Sequence, residues 1–409
     1  MHRCLTGVKA WFRQISGLAN VPNMERYLLS ADQLRARGGG KWTKYPANVI
    51  PAFVADMDFK VAPAVQAAIE RFADTQDYGY GQMTDLNAVP LFDAFADWMA
   101  RRHNWRPDPA LTHANTDVVQ GLVATIVAFS RPGDGIIAQT PIYPPFLRFI
   151  AATGRQLIEN PLVDDGTRFV VDLEGLEGAA PQATMILLCN PHNPTGRVLE
   201  RAELEGIAKI AAAHNLTIVS DEIHADLVYP GARHIPMETI SAAADRTVTL
   251  TSATKGFNIA GLRTSIAHFG SAGLKEKFDG VVPERFLGGP GRIGVAATIA
   301  AWCESEDWLD TVMVYLDRNR RRVAEWAAQA NLAHHMPEST YLAWMGCRHL
   351  DVQAGLTPQQ HFLESAKVGL AEGFDFGEPG QGHVRLNFAT SEEILEEILG
   401  RLGDALSPR

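Results

Sequence analysis

From about Ile50 onward, short runs that are apolar throughout alternate with longer stretches whose apolar residues recur at helical spacing. The runs are Gly135–Gln139, Thr184–Cys189, Leu216–Ser220, Thr247–Leu250 and Thr264–Phe269. Strands with no polar face belong in a sheet covered on both sides. Between them, Leu199–Asn215 is the clearest helix, with Leu204, Ile207, Ala208 and Ala211 on one stripe. This alternation predicts an α/β domain built on a mostly parallel sheet. A break rich in glycine and proline follows, at Val282-Pro283 and Gly288–Gly291. Beyond it, Val295 to Asn331 reads as long helices. Thr340–Trp344 and His383–Asn387 read as short strands before a terminal helix, so a smaller α+β domain is expected.

Composition narrows the function classes. The 409 residues are 46% apolar and 21% charged, as in a globular protein with a full core. A net charge of -10 argues against a nucleic-acid partner. No apolar run approaches the roughly 18 residues of a membrane span. Cys4, Cys189, Cys303 and Cys347 show no paired spacing, which fits a reducing cytoplasm and no metal site. The first 23 residues are too polar for a secretory signal and are expected to form a loose extension, with Met24 as an alternative start. Two glycine clusters, Gly38-Gly39-Gly40 and Gly289-Pro290-Gly291, lack the context of nucleotide-binding loops and read as turns.

Candidate chemistry collects where the apolar strands end, the edge at which open parallel sheets bind ligands. Lys255 stands in Ser252-Ala253-Thr254-Lys255-Gly256-Phe257-Asn258, with Arg263 eight positions on. A lysine flanked by phosphate-binding groups suits a Schiff base with a phosphorylated aldehyde, pyridoxal 5'-phosphate. Asp221, in Ser220-Asp221-Glu222-Ile223-His224, either caps the next helix or keeps a pyridine nitrogen protonated. His224 is a candidate partner for the ring hydroxyl, and otherwise a satisfied buried histidine. In Asn190-Pro191-His192-Asn193-Pro194-Thr195-Gly196 a tight turn would aim Asn193. Tyr143 offers a ring for stacking. Asp117-Val118-Val119 opens a helix whose free N–H groups suit a phosphate.

These motifs together resemble fold-type I pyridoxal-phosphate enzymes of the class I/II aminotransferase superfamily, and within it the MalY/PatB branch of cystathionine β-lyases. Val54–Phe59, Tyr143–Phe146, Asp221–His224 with His234-Ile235-Pro236, and Val384–Asn387 carry the branch likeness, over about Gly40 to Leu402. The resemblance implies a large domain with a seven-stranded, mostly parallel sheet at 51–290, a small domain at 291–409, and an arm at 24–50 packed on the small domain. It implies Lys255 as Schiff-base lysine and proton shuttle, Asp221 on the pyridine nitrogen, Asn193 and His224 near the ring hydroxyl, and Tyr143 stacked on the ring. Ser252, the amides of Val118 and Val119, and Arg263 would hold the phosphate. Arg385 would clamp the substrate carboxylate beside Asn193, Tyr143 and Ala55, and Tyr80 would enter the site of a homodimeric partner.

The same resemblance marks departures. Asp117 stands where the branch has glycine, and Arg263 is more typical of aminotransferases. Phe388–Ser391 and Gly346 also differ from the branch pattern. The expected reaction is α,β-elimination from an L-cystathionine-like amino acid, with transamination as the alternative. A non-catalytic binding module is disfavoured, because no helix-turn-helix or basic patch accompanies the catalytic set.

Overall fold

The computed structural model describes residues 24–80, 89–282, 288–350 and 355–406. The expected extension at 1–23 lies outside them. A seven-stranded sheet forms the centre of the molecule. Its strands are β1 (Thr112–Asn115), β2 (Gly135–Ala138), β3 (Gln156–Glu159), β4 (Ala183–Cys189), β5 (Thr217–Asp221), β6 (Thr247–Thr251) and β7 (Ser265–Phe269), in the order β1-β7-β6-β5-β4-β2-β3. All neighbours pair in parallel except β7, which is antiparallel to both β6 and β1.

The continuous apolar runs have a simple cause. Along β4, Met185, Leu187 and Cys189 enter the core on one side of the sheet, while Ile186 and Leu188 enter the core on the other. Alternate side chains point to opposite faces, so a sheet covered by helices on both faces needs apolar residues at every position. Each fully buried residue of this kind contributes about 1.5–3 kcal/mol. Of the covering helices, α1 (Val118–Phe129) lies on the first side and α2 (Arg201–Ala213) on the second. β1 and β3 have no counterpart among the strands expected from sequence. Both mix polar with apolar residues and lie at the sheet's edges, where one flank is open.

The predicted long helices are α3 (Arg292–Glu304) and α4 (Glu306–Gln329), and the terminal helix is α5 (Glu392–Leu406). A four-stranded sheet contains β8 (Ala333–His334), β9 (Leu342–Gly346), β10 (Ala371–Glu372) and β11 (His383–Asn387), ordered β8-β9-β11-β10. β9 begins two residues later than Thr340, because Thr340 sits at φ +70°, outside the strand region. Upstream, Ile50–Pro51 pairs with Val368–Gly369. Met24, Tyr27 and Trp42 share one apolar core with Trp308, Leu342 and Leu386. No helix among the described residues is long and apolar enough to cross a membrane, and no cluster of His, Cys, Asp and Glu among them could hold a metal.

Candidate active site

The sheet topology explains why residues far apart in sequence meet. β2, β4, β5 and β6 run parallel, so the loops after them leave one edge. β1 and β6 both pair antiparallel to β7, so β1 ends at that edge and β7 starts there. Asn193 follows β4, Asp221 closes β5, Lys255 follows β6, Tyr143 follows β2, Asp117 follows β1, and Arg263 precedes β7. Gly196 closes the turn after β4 at φ +72°, where an added Cβ would lie 2.3 Å from Pro337. Only glycine fits there.

Lys255 is held in a desolvated setting. Its Nζ donates to the Ala55 carbonyl at 2.7 Å. Burial is the largest influence and lowers the amine's pKa; Asp56 opposes this, Arg385 reinforces it and Asp221 opposes it. Asp221 is driven the other way, to about 7, mainly by burial and also by neighbouring Glu222, against the Ile223 N–H bond and the Lys255 charge. Burial thus lowers the pKa of the amine and raises that of the carboxyl, disfavouring the charged form of each. Burial, helped by the Lys255 and Arg385 cations, pulls His224 down to about 3, so its imidazole is neutral.

The other candidates divide into two groups. Arg385 Nη1 donates to Asn193 Oδ1 at 2.9 Å and Nη2 to the Phe53 carbonyl at 2.8 Å. Burial lowers its pKa to about 10, which leaves it charged at neutral pH. Tyr143 caps the helix Pro144–Ala152 at this edge, and burial raises its phenol pKa. Ser252 Oγ donates to the Thr264 carbonyl and Thr254 N–H donates back to it. Asp117, which stands where the branch has glycine, is the N-cap of α1. It accepts from the Gln120 N–H at 2.8 Å and pairs with Arg263. The two departures singled out separately in the sequence are thus ionic partners. Val118 and Val119 are the first residues of α1, with N–H groups that lack intrahelical acceptors.

Two residues stand apart. Tyr80 is 97% exposed in this chain. Arg292, which opens α3 after the glycine-rich break, donates to both carboxylate oxygens of Asp77.

One element was underweighted in the sequence. Four consecutive carbonyls, Phe53 to Asp56, each accept a side-chain donor. Arg385 reaches Phe53, Asn387 reaches Val54 and Asp56, and Tyr341 with Lys255 reaches Ala55. Asn258, three residues after Lys255, binds the carbonyls of Met57 and Phe59. Asn387 and Asn258 lie inside motifs recognised from sequence, but nothing in their spacing points to this segment.

The donor set fits pyridoxal 5'-phosphate. His224 Nδ1 and Arg385 Nε are buried without a hydrogen-bond partner among the described residues, and a native interior rarely leaves such atoms unpaired unless a ligand uses them. The neutral imidazole, the carboxyl of raised pKa and the desolvated amine are the groups a pyridine aldehyde with a ring hydroxyl needs.

Comparison with known proteins places the chain in a family. The model for "Aminotransferase class I and II" matches residues 54–402. Cystathionine beta-lyase PatB of Bacillus subtilis is 34% identical over 88% of this chain and 93% of its own length. Cystathionine beta-lyase of Corynebacterium glutamicum is 33% identical over 92% of this chain and 98% of its own. The crystal structure of cystalysin from Treponema denticola, which contains a pyridoxal 5'-phosphate cofactor, superposes with a TM-score of 0.85 at 30% identity, covering 92% of this chain and 97% of that one. The fold is that of the fold-type I pyridoxal-phosphate enzymes, and the chain belongs to the aminotransferase class I and II family.

Proposed function

We propose that the protein is a pyridoxal-phosphate-dependent carbon–sulfur β-lyase that converts L-cystathionine or a related S-substituted L-cysteine to pyruvate, ammonia and a thiol. The observation that carries this reading is the coupling of a desolvated Lys255 amine to the Asp221 carboxyl at one sheet edge. Asp221 would hold the pyridine nitrogen, Asn193 and His224 the ring hydroxyl, and Tyr143 would stack on the ring. Ser252, Arg263 and the amides of Val118 and Val119 would hold the phosphate. When bound, the cofactor supplies an electron sink for the bonding pair released at the substrate's α-carbon.

This chain's residues do the rest. Arg385, still charged, binds the α-carboxylate and fixes which face of the α-carbon meets Lys255. Lys255, whose amine burial makes easier to deprotonate, takes the α-proton as general base. The departing thiolate takes a proton from the ammonium so formed, or from Tyr80 contributed by the second subunit of a homodimer. A homodimer with shared sites and a cytoplasmic location belong to this proposal, as does a division into a large domain at 51–290 and a small one at 291–409.

Transamination would use the same residues up to loss of the α-proton, and arginine at position 263 favours it. Incubation with L-cystathionine and no oxo acid separates the two. Pyruvate release is the expected result, and turnover only after an oxo acid is added would overturn the lyase reading. Replacing Arg385 with Lys keeps the charge and loses the planar fork. Arg385→Lys is expected to lower kcat/KM by about 10–100-fold, mostly through KM. Steady-state kinetics with the same substrate check this.

A further inference from the structure

We propose that Tyr341 is a positioning residue for Lys255, acting through the Ala55 carbonyl that both side chains share. The proposal rests on Lys255 being the lysine that engages the cofactor. Tyr341 Oη donates to the Ala55 oxygen at 3.1 Å and Lys255 Nζ donates to the same oxygen at 2.7 Å. Tyr341 is 1% exposed, at the start of the segment leading into β9 of the small domain, whereas Lys255 follows β6 of the central sheet. The residues meet only because the 53–56 segment lies between the two sheets' loops. Its carbonyls there are pinned by Arg385 and Asn387 as well.

A carbonyl oxygen has two lone pairs, and here each has one donor. This matters because Lys255 must leave. Once its nitrogen bonds the cofactor, or carries a proton to substrate, it stops donating to Ala55. A buried carbonyl deprived of its sole donor would hold the lysine back by the cost of being left unpaired. With the tyrosine hydroxyl in place, Ala55 keeps a partner and the lysine departs without that penalty. The tyrosine also weakens the carbonyl as an acceptor for ammonium, since a lone pair already engaged leaves less charge for a second donor.

Other groups face the amine: Asp56 from the same segment, Asp221 and His224 from the end of β5, and Arg385 from β11. Each is unchanged when only the hydroxyl is removed. Burial, the main influence, pushes the Tyr341 phenol well above its usual pKa, so it remains a donor across the working range.

The experiment is capture of pyridoxal 5'-phosphate by the apoprotein, followed by visible absorbance as a function of pH. In Tyr341→Phe the ammonium is held more tightly by Ala55. Less free amine is present at a given pH, and the pH midpoint of the capture rate moves up by about one unit. At pH values below the midpoint the rate falls about tenfold, the same shift in other terms. 3-Fluorotyrosine placed at Tyr341 keeps the hydroxyl and makes it a stronger donor, so the midpoint moves down. A purely structural role predicts neither shift, because packing loss has no reason to reverse sign with donor strength. Far-UV circular dichroism verifies folding, and the fluorotyrosine protein carries the test alone if Tyr341→Phe does not fold. Midpoints equal to wild type in the folded variants overturn the role of Tyr341 and leave the lyase reading intact. Wild-type apoprotein that captures no pyridoxal 5'-phosphate overturns both.

Discussion

Lys255→Ala is expected to abolish turnover, lowering kcat by roughly 10⁴-fold or more, because in the proposed reaction one side chain would serve as both cofactor tether and general base. The fold should survive. The Lys255 Nζ hydrogen bond runs to Ala55, and Tyr341 continues to donate to that carbonyl after truncation. That buried acceptor is not orphaned, and a desolvated amine is removed from the interior, so stability should stay within about 1 kcal/mol of wild type. The checks are pyruvate release, retention of visible absorbance after gel filtration with pyridoxal 5'-phosphate, and the thermal midpoint of the apoprotein. A variant that turns over within tenfold of wild type would remove Lys255 from the centre of the chemistry.

Asp221→Asn should produce an opposite movement of activity and stability. Activity is expected to fall roughly 10³-fold, because an amide cannot hold a proton on the pyridine nitrogen by charge. The apoprotein should gain stability at pH 7. In the folded chain, burial raises the Asp221 carboxyl from 3.8 to about 7. The folded form then binds the proton more tightly than the unfolded form, so stability is fully present below the ordinary value and is lost as pH rises through 7. Asparagine has no such dependence and can still accept the Ile223 N–H bond at this position. The stability difference between variant and wild type should therefore grow between pH 4 and 7 by up to about 4 kcal/mol. Denaturant titrations of both apoproteins across that range measure it. A difference that stays flat with pH would mean that the carboxyl is not desolvated as the structure implies.

That trade-off has a structural source. The bonds among Arg385, Asn193 and the 53–56 carbonyls give the site a rigid frame, yet they leave His224 Nδ1 without a partner and Asp221 without a salt bridge among the described residues. The site keeps a carboxyl and an imidazole in unfavourable surroundings that a cofactor relieves. Uncompensated burial of this kind is typical of a site organised for a ligand, not for stability alone.

The relation between chain and structure differs from element to element. β2, β4, β5, β6 and β7 were legible as runs because their two-sided burial demands apolar residues throughout. β1 (Thr112–Asn115) and β3 (Gln156–Glu159) were not, since edge strands need no such composition. Lys255, Asp221 and Asn193 were legible because each follows or ends a recognisable strand in a motif rich in special residues. Asp117 and Arg263 each looked like an isolated oddity, and their pairing emerges from the register of Asn115 with Ser265.

Local patterning was enough for the alternating architecture and for marking candidate motifs at the strand ends, because helical and strand periodicities and turn chemistry act over a few residues. What the tertiary structure alone decided is which side chains share an atom: Tyr341 and Lys255 on Ala55, Arg385 between Phe53 and Asn193, Asn387 on Val54 and Asp56. Those contacts span up to 333 positions of chain. Their partners are backbone carbonyls, which every residue carries and no spacing can single out, so only the packing of the two sheets against one segment could select them.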